Sequence, residues 1–180
     1  MMNLEENKKT SGGEQLRLVE CLSHLPHKIL QNHDLHGLPQ LILHELGHHY
    51  CFGLTRAVYL IDNPDFDHLV GAAGFCHKEC QLHNHDLWSA PNNFAKDMKL
   101  ATFHNEMRRL VLPSFKRKDI DLHNASEVKS LGSSLGLENP DSVAWDMKHG
   151  NHGILLFESS MDFSSWKREL LKNAVALLSL

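Results

Sequence analysis

The sequence lacks any apolar run long enough to cross a bilayer. A crossing needs roughly 18 or more consecutive apolar residues, and no stretch of this 180-residue chain approaches that length. Residues 1–13 are polar, and Lys8 and Lys9 are followed by no apolar core of the kind that a secretory signal carries. We therefore expect a disordered lead-in over 1–13, a cytoplasmic location and no membrane partner.

The chain also lacks an excess of basic charge. Its formal net charge is -4, and the densest basic run, Lys116-Arg117-Lys118, is followed at once by Asp119. A nucleic-acid-binding protein needs a basic surface to neutralise phosphates. The sequence therefore predicts no nucleic-acid partner.

Several signatures of catalysis are missing as well. No glycine-rich loop of the phosphate-binding type opens a helix, and Ser133 and Ser134 stand in no nucleophile elbow or triad-like pattern. The four cysteines are too few for a disulfide framework in a chain of this length and are interpreted as reduced thiols. Histidine, by contrast, is abundant: fifteen residues suggest a metal site and also make chance histidine motifs more frequent.

The first half of the chain changes its apolar period from helical to extended. Residues 14–31 carry leucines at helical spacing interrupted by Pro26, which predicts one kinked helix or two short ones. A second helix is predicted over 37–51. Residues 54–61 are apolar on both faces, as in a central strand, and 68–75 form a second strand after a turn. These two segments predict a hairpin.

The middle of the chain is less regular. Residues 76–91 are polar and histidine-rich and predict a long loop. A helix is predicted over 94–110, although 110–112 also has the pattern of a strand. Residues 119–139 predict a short helix and a loop.

The last part predicts a second hairpin and a closing helix. Strands are expected over 142–147 and 153–158, because the glycine and asparagine between them accept positive φ. Residues 164–179 carry the apolar face of a helix. The order of elements predicts an α+β fold in which an antiparallel sheet of five or six strands is flanked by helices, in a single domain over 14–180.

Two segments resemble the GAF domain family. The first is 46–75, in which a helix end, the Gly-Leu-Thr-Arg-Ala junction, a strand, Asp62 and a second strand look like the opening of the family. The second is 150–180, in which a glycine turn, a strand closing on an acidic residue and Phe163-Ser164 lead into a helix. The opening is also similar to GAF-like regions that follow HDOD domains in bacterial signalling proteins.

The resemblance implies a non-catalytic sensory or regulatory function in signal transduction. Members bind cyclic nucleotides, tetrapyrroles, haem or other small molecules, and many only dimerise. They have helices on one face of the sheet and a pocket roofed by variable loops on the other. None of their ligand motifs can be placed here, so no particular ligand carries over.

The predicted ligand pocket follows from the need to cover the second face of the sheet. Residues 76–139 are the segment that can supply this cover. We expect a small ligand between this segment and the central strands, in contact with Tyr59, Phe75, His83, Phe103 and Trp145.

One motif points to different chemistry. His44, Glu45 and His48 match the HExxH zinc signature, in which two imidazoles on one helical face bind Zn²⁺ and the glutamate is the general base. The extended metzincin pattern fails, because Cys51 and Leu54 replace its glycine and third histidine. A zinc metallopeptidase is the alternative function, and a solvated helix face is the interpretation we favour.

A second cluster could also bind metal. Cys76, Cys80, His83 and either His77 or His85 place thiols and imidazoles within ten residues, although their spacing matches none of the usual structural zinc patterns. The interpretation we favour is a polar loop, and a metal-binding module is the alternative. The cofactor is unknown, with none or zinc as the candidates.

The predicted partners are a second copy of the chain and either an unknown small molecule or an output domain. The helices over 14–31 and 164–179 both carry leucine faces that can pair across a two-fold axis. We therefore expect a homodimer.

Overall fold

The computed structural model describes residues 3–80, 87–115, 124–160 and 163–179, without the side chains of 3–12, Cys80 and Ala125. Its helices and strands are α1 (Asn3–Gln31), α2 (Leu38–Gly47), β1 (Leu54–Asn63), β2 (His68–Cys76), α3 (His77–Cys80), α4 (Pro91–Met98), α5 (Thr102–Arg108), β3 (Val111–Leu112), α6 (Ala125–Ser134), β4 (Asp141–Asp146), β5 (His152–Ser159) and α7 (Ser165–Val175). Short 3-10 turns lie at Pro64–Phe66, Lys148–Gly150 and Ala176–Ser179.

The strands form one open antiparallel sheet in the order β3-β2-β1-β5-β4. The predicted α+β class is therefore confirmed, with five strands among the described residues. Both predicted hairpins are present, β1 with β2 and β4 with β5. The turn of the second hairpin has positive φ at His149 and Gly150, and Gly150 adopts such angles at little steric cost.

β1 lies at the centre of the sheet because its side chains are apolar on both faces. Ala57 and Tyr59 contact the cluster beneath α1, whereas Val58 and Leu60 contact the cluster beneath α5. We call these two sides of the sheet the α1 face and the α5 face. A register shift between Tyr59 and Leu60 leaves Ala72 of β2 without a partner in β1, as in a β-bulge.

The α1 face is covered by α1, α2, α4 and α7. Its buried side chains come from the inward stripes of these helices, and they include Leu18, Leu25, Ile42, Leu46, Phe94, Leu171 and Val175. α1 continues through Pro26 as one helix, and it begins at Asn3, before the start that we expected at residue 14. The division into a lead-in and one domain stays a prediction.

The α5 face is covered by the later part of the middle segment. Its buried side chains include Met107, Phe115, Val128, Leu135 and Leu137. The expectation that 76–139 covers the second face thus holds for this later part. Trp88, Phe94 and Met98 instead join the cluster of the α1 face.

The single helix predicted over 94–110 is divided into α4 and α5. The side-chain amide of Asn105 donates to the carbonyls of Met98 at 3.2 Å, Lys99 at 3.0 Å and Ala101 at 2.8 Å. These bonds tie the first turns of α5 to the turn between the two helices. The alternative strand at 110–112 is confirmed as β3, the predicted loop over 76–91 contains α3, and α2 ends at Gly47, earlier than residue 51.

Within the four described ranges, every helix is either too short or too polar to span a bilayer.

Candidate functional site

Two glycines of β2 form the base of the candidate site. A Cβ atom at Gly71 would lie 1.7 Å from the carbonyl oxygen of Met107, and one at Gly74 would lie 3.1 Å from Cα of His104. Because neither glycine has a side chain, α5 packs directly against the backbone of β2. β3 pairs only with Leu69 and Val70, so α5 lies along the remaining edge of the strand.

His104 occupies this edge. Its Nδ1 lies 3.2 Å from both the amide nitrogen and the carbonyl oxygen of Gly74, and the residue is only 2% exposed. Farther along the strand, the amide of Gly71 donates to the carbonyl of Leu110 at 3.0 Å. Side-chain and loop groups thus take the place of a neighbouring strand.

Gln40 of α2 forms a hydrogen-bonded pair with His104. Its Nε2 lies 2.7 Å from Nε2 of His104. Burial lowers the pKa of His104 below its ordinary value of 6.5, so the imidazole is neutral at pH 7. In the tautomer with the proton on Nδ1, the ring donates to Gly74 and accepts from the Gln40 amide.

α2 brings Gln40 to this position from the first turn of the helix. The residue before the helix, Gly37, has φ 97°, a conformation that glycine adopts easily. A Cβ atom at Gly37 would also lie 2.9 Å from Oε1 of Gln40. The glycine therefore permits both the chain reversal and the placement of the amide.

Beside this pair lies a cleft of about 480 Å³ between α2, α4, α5 and β2, which we call the His104 cleft. Ala72, Ala95 and Met98 contribute apolar surface, and the exposed side chains of Lys99 and Arg108 contribute positive charge. None of the described side chains that line the cleft is acidic. The site therefore combines apolar surface, neutral hydrogen-bonding groups and two cations.

The residues of the predicted pocket do not lie together. Tyr59, Phe75 and Trp145 pack on the α1 face, whereas Phe103 packs on the α5 face. His83 lies outside the described residues. The rings of Tyr59 and Trp145 stack with centroids 5.5 Å apart, and the Tyr59 hydroxyl donates to the carbonyl of Leu178 at 3.3 Å. The described members of this set pack in or against the clusters of opposite faces, which corrects their predicted placement in one cavity.

Glu45 of the HExxH motif is engaged by three donors. It is 4% exposed, and Lys28 of α1 lies 2.7 Å from Oε1. Oε2 accepts from the indole nitrogen of Trp88 at 3.0 Å and from the hydroxyl of Tyr50 at 3.3 Å. The carboxylate that would be the general base of a peptidase thus joins α1 to α2 and to the segment after α3.

The two histidines of the motif lie in different surroundings. His44 is 2% exposed, and its ring contacts Phe75 and Phe94 edge-on, with centroids 5.1 and 4.9 Å away. His48 follows the end of α2, with ψ 152°, and its ring packs 4.0 Å from that of Tyr50. The favoured interpretation of a solvated helix face is therefore wrong for His44 and Glu45, which are buried. Among the side chains that the structure describes, no three His, Cys, Asp or Glu are arranged to hold one metal ion.

The cysteine and histidine cluster is described only in part. Cys76 is buried at the end of β2, and His77 and Cys80 lie in α3. His83 and His85 lie outside the described residues, so the metal-binding alternative stays a prediction.

The residues of the His104 cleft were not found from the sequence. Gln40 and His104 are 64 positions apart and meet only through the fold. Two local signals do exist: Gly71 and Gly74 mark a close approach to a strand, and His104 and Arg108 share one face of a short helix. Neither signal identifies the partner element.

Comparison with known proteins does not assign this chain to a family. No family model matches the chain, and no curated protein matches it at a significant level. The GAF-like resemblance therefore stays a prediction.

Proposed function

We propose that this chain is a non-catalytic regulatory module that binds a small anionic molecule in the His104 cleft. The observation that carries the proposal is the arrangement of buried His104 and its half-buried partner Gln40 beside the cations Lys99 and Arg108. This replaces the pocket that we expected from the sequence and keeps the expected class of function.

The chemistry of the cleft defines the ligand class. A volume of about 480 Å³ lies in the range of small-molecule sites, which combine apolar walls with a few placed polar groups. Lys99 and Arg108 favour a carboxylate or phosphate group, for which guanidinium provides two parallel donors. Ala72, Ala95 and Met98 favour an apolar body. We infer a compact organic anion.

The non-catalytic part of the proposal rests on how the buried polar groups are used. Both ring nitrogens of His104 face protein groups, Gly74 on one side and Gln40 on the other. Glu45 accepts from Lys28 and Trp88. A general base needs a free lone pair aimed at its substrate, and these two residues hold elements together instead.

The regulatory part of the proposal assigns to α2 the connection between the cleft and α1. Gln40, at the start of the helix, contacts His104 of the cleft, and Glu45, nearer its end, is paired with Lys28 of α1. We propose that ligand binding shifts α2 and is sensed at α1. The cytoplasmic location remains part of this proposal.

Homodimerisation also remains part of it, with α1 as the contact. Leu171 and Leu178 of the C-terminal segment are buried in the core, whereas Leu16 and Val19 of α1 are 73% and 55% exposed. A dimer by light scattering that becomes monomeric in the Leu16→Glu variant would support this contact, and a monomer in the unaltered chain would contradict it.

Binding can be tested by titrating inorganic phosphate and benzoate into the full chain, with calorimetry and NMR of the histidine ring protons as readouts. We expect Lys99→Gln and Arg108→Gln each to weaken binding about tenfold or more, because each removes a charge-assisted contact. Lys172→Gln is the matched control, because Lys172 is an exposed cation on α7. It should leave the affinity unchanged.

A steric variant distinguishes binding in the cleft from general electrostatic attraction to the protein. Ala95→Trp fills the cleft without changing the charge, and we expect it to abolish binding. If neither probe binds, or if Lys172→Gln weakens binding as much as Arg108→Gln, the proposed site is wrong.

A further inference from the structure

A second cavity adjoins the His104 cleft on the side where α4 begins. It has a volume of about 280 Å³, and the two cavities share part of their walls, formed by His36, Gly37, Gln40 and Ala95. We call it the Asp34 pocket, after the one acidic side chain among its described lining residues. A ligand held in the His104 cleft therefore has adjoining space into which it can extend.

α4 forms one wall of both cavities through a single stripe of side chains. Asn92 lines the Asp34 pocket, Ala95 lines both cavities, and Lys99 lines the His104 cleft. These three residues follow the i, i+3, i+7 spacing of one helical face, and all lie in α4 or at its C-cap. At about 1.5 Å per residue, Asn92 and Lys99 are about 10 Å apart along the helix axis. The two cavities therefore form one elongated site along α4.

The two ends of this elongated site carry opposite charges. Lys99 and Arg108 line only the His104 cleft, whereas Asp34 lines only the Asp34 pocket. The carboxylate of Asp34 lies 3.2 Å from Nε2 of His33, and both side chains are largely exposed. An exposed pair of this kind contributes little energy, and a carboxylate has room for several donors. The site therefore suits a ligand with an anionic group at one end and a cationic group at the other.

The Asp34 pocket provides apolar surface between the two charged ends. Leu41 and Phe94 are core residues, 2% and 4% exposed, and their remaining surface lines the pocket together with half-buried Leu35. This surface suits an apolar side chain. Gln40 presents its side-chain amide to both cavities, and an amide can pair with the amide groups of a peptide.

We propose that the ligand of this site is a short peptide with free termini, about three residues long. The inference rests on the proposed function, because the anionic group of the ligand, here the C-terminal carboxylate, lies at Lys99 and Arg108. It adds a cationic end, the N-terminal ammonium group, at Asp34, and an apolar side chain against Leu41 and Phe94. An extended chain rises about 3.3 Å per residue, so three residues match the length of about 10 Å along α4.

The test is calorimetric titration of the full chain with the peptide Gly-Leu-Gly and its two blocked forms. Acetylation removes the positive charge of the N-terminus, and we expect it to weaken binding about threefold, because the carboxylate of Asp34 is exposed. Amidation removes the negative charge of the C-terminus. We expect it to weaken binding about tenfold or more, because two cations face that end. Equal affinities of the three forms would overturn the proposal.

The variant Asp34→Asn tests which end of the peptide lies in the Asp34 pocket. It should weaken binding of Gly-Leu-Gly about threefold, with a smaller effect on the acetylated peptide, which has no charge to lose at that end. Asp65→Asn is the matched control, because Asp65 is an exposed acid in the turn after β1. If Asp65→Asn weakens binding as much as Asp34→Asn does, the assigned end is wrong.

A steric variant and a second ligand separate this inference from the proposed function. Asn92 is exposed and lines only the Asp34 pocket, so Asn92→Trp should lower the ratio of peptide affinity to benzoate affinity at least about fivefold. Benzoate that binds as tightly as Gly-Leu-Gly in the unaltered chain would overturn the peptide and leave the proposed function standing. If neither ligand binds, both are overturned.

Discussion

The two faces of the sheet bury polar groups by different means. On the α1 face the carboxylate of Glu45 is enclosed by Lys28, Trp88 and Tyr50. On the α5 face the neutral ring of His104 is buried along a strand edge and beside an open cleft. The Glu45 carboxylate is thus enclosed by three donors, whereas the His104 ring lies next to open space.

The difference bears on the proposed ligand site. A buried carboxylate needs several donors to offset its loss of hydration, and the Glu45 network supplies them while it holds its elements together. The free edge of β2 needs partners for its backbone groups. The carbonyl of Leu110, just after α5, accepts from the amide of Gly71, and the His104 ring of α5 bonds to the backbone of Gly74. The cleft opens where α5 meets α2 and α4.

The largest expected effect is that of Gly71→Ala. The added Cβ would lie 1.7 Å from a backbone oxygen of Met107, which cannot move without displacing α5. We expect a loss of about 3 kcal/mol or more in the free energy of unfolding, measured by urea denaturation, together with loss of ligand binding at the His104 cleft.

Two other glycines are matched controls for this substitution. At Gly47, on the α1 face, the added atom would meet the ring of Phe75 at 2.6 Å. Gly47→Ala should therefore cost about 1–3 kcal/mol and leave the cleft intact. At Gly13, where nothing lies within 4 Å, alanine should stabilise the helix by about 0.5–1 kcal/mol. If Gly71→Ala and Gly47→Ala had equal effects on stability and on ligand binding, the proposed difference between the two faces would be wrong.

The next effect is that of Glu45→Ala. Removing the carboxylate leaves Lys28 and the indole of Trp88 without this acceptor, and we expect a loss of about 2–4 kcal/mol in the free energy of unfolding. Glu45→Gln, which keeps an acceptor oxygen, should cost less. Glu20→Ala, on the exposed side of α1, should change stability by less than about 0.5 kcal/mol. If Glu45→Ala matches this control, the network does not stabilise the α1 face.

The smallest expected effect is the pH dependence of the free energy of unfolding. It comes mainly from His104 on the α5 face. The pKa of His104 is lowered by burial, so the unfolded state binds its proton more readily than the folded state does. The contribution of this residue to stability is complete above the unfolded value of 6.5 and is lost as the pH falls below it. His48, whose pKa is also lowered by burial, acts in the same direction.

The measurement is the free energy of unfolding in steps from neutral pH down to about pH 5, above the range in which most carboxylates titrate. His104→Gln should flatten the slope, and His48→Gln should flatten it less, because His48 is the more exposed of the two. An unchanged slope in His104→Gln would show that the ring is not held neutral in the fold.

The sequence determined the local elements of this protein. The two-sided apolar pattern of 54–61 placed β1 at the centre of the sheet, and the glycine turn near Gly150 placed the second hairpin. The helical character of 14–31, of most of 37–51 and of 164–179 followed from apolar residues at helical spacing, whereas the division between α4 and α5 did not. These features depend on periods of two and 3.6 residues, which are visible in any short window of the chain.

Tertiary structure alone decided the site. No pattern in the sequence indicated that Glu45 would meet Lys28 and Trp88, so its motif suggested zinc chemistry. Likewise, no pattern indicated that Gln40 would contact His104. The expected pocket failed for a related reason: Tyr59 and Phe103 were assigned to strand and helix, but the face of the sheet that each would contact was not fixed. Local periodicity is set by neighbouring residues, whereas contacts between distant residues are set by how the helices pack on the sheet.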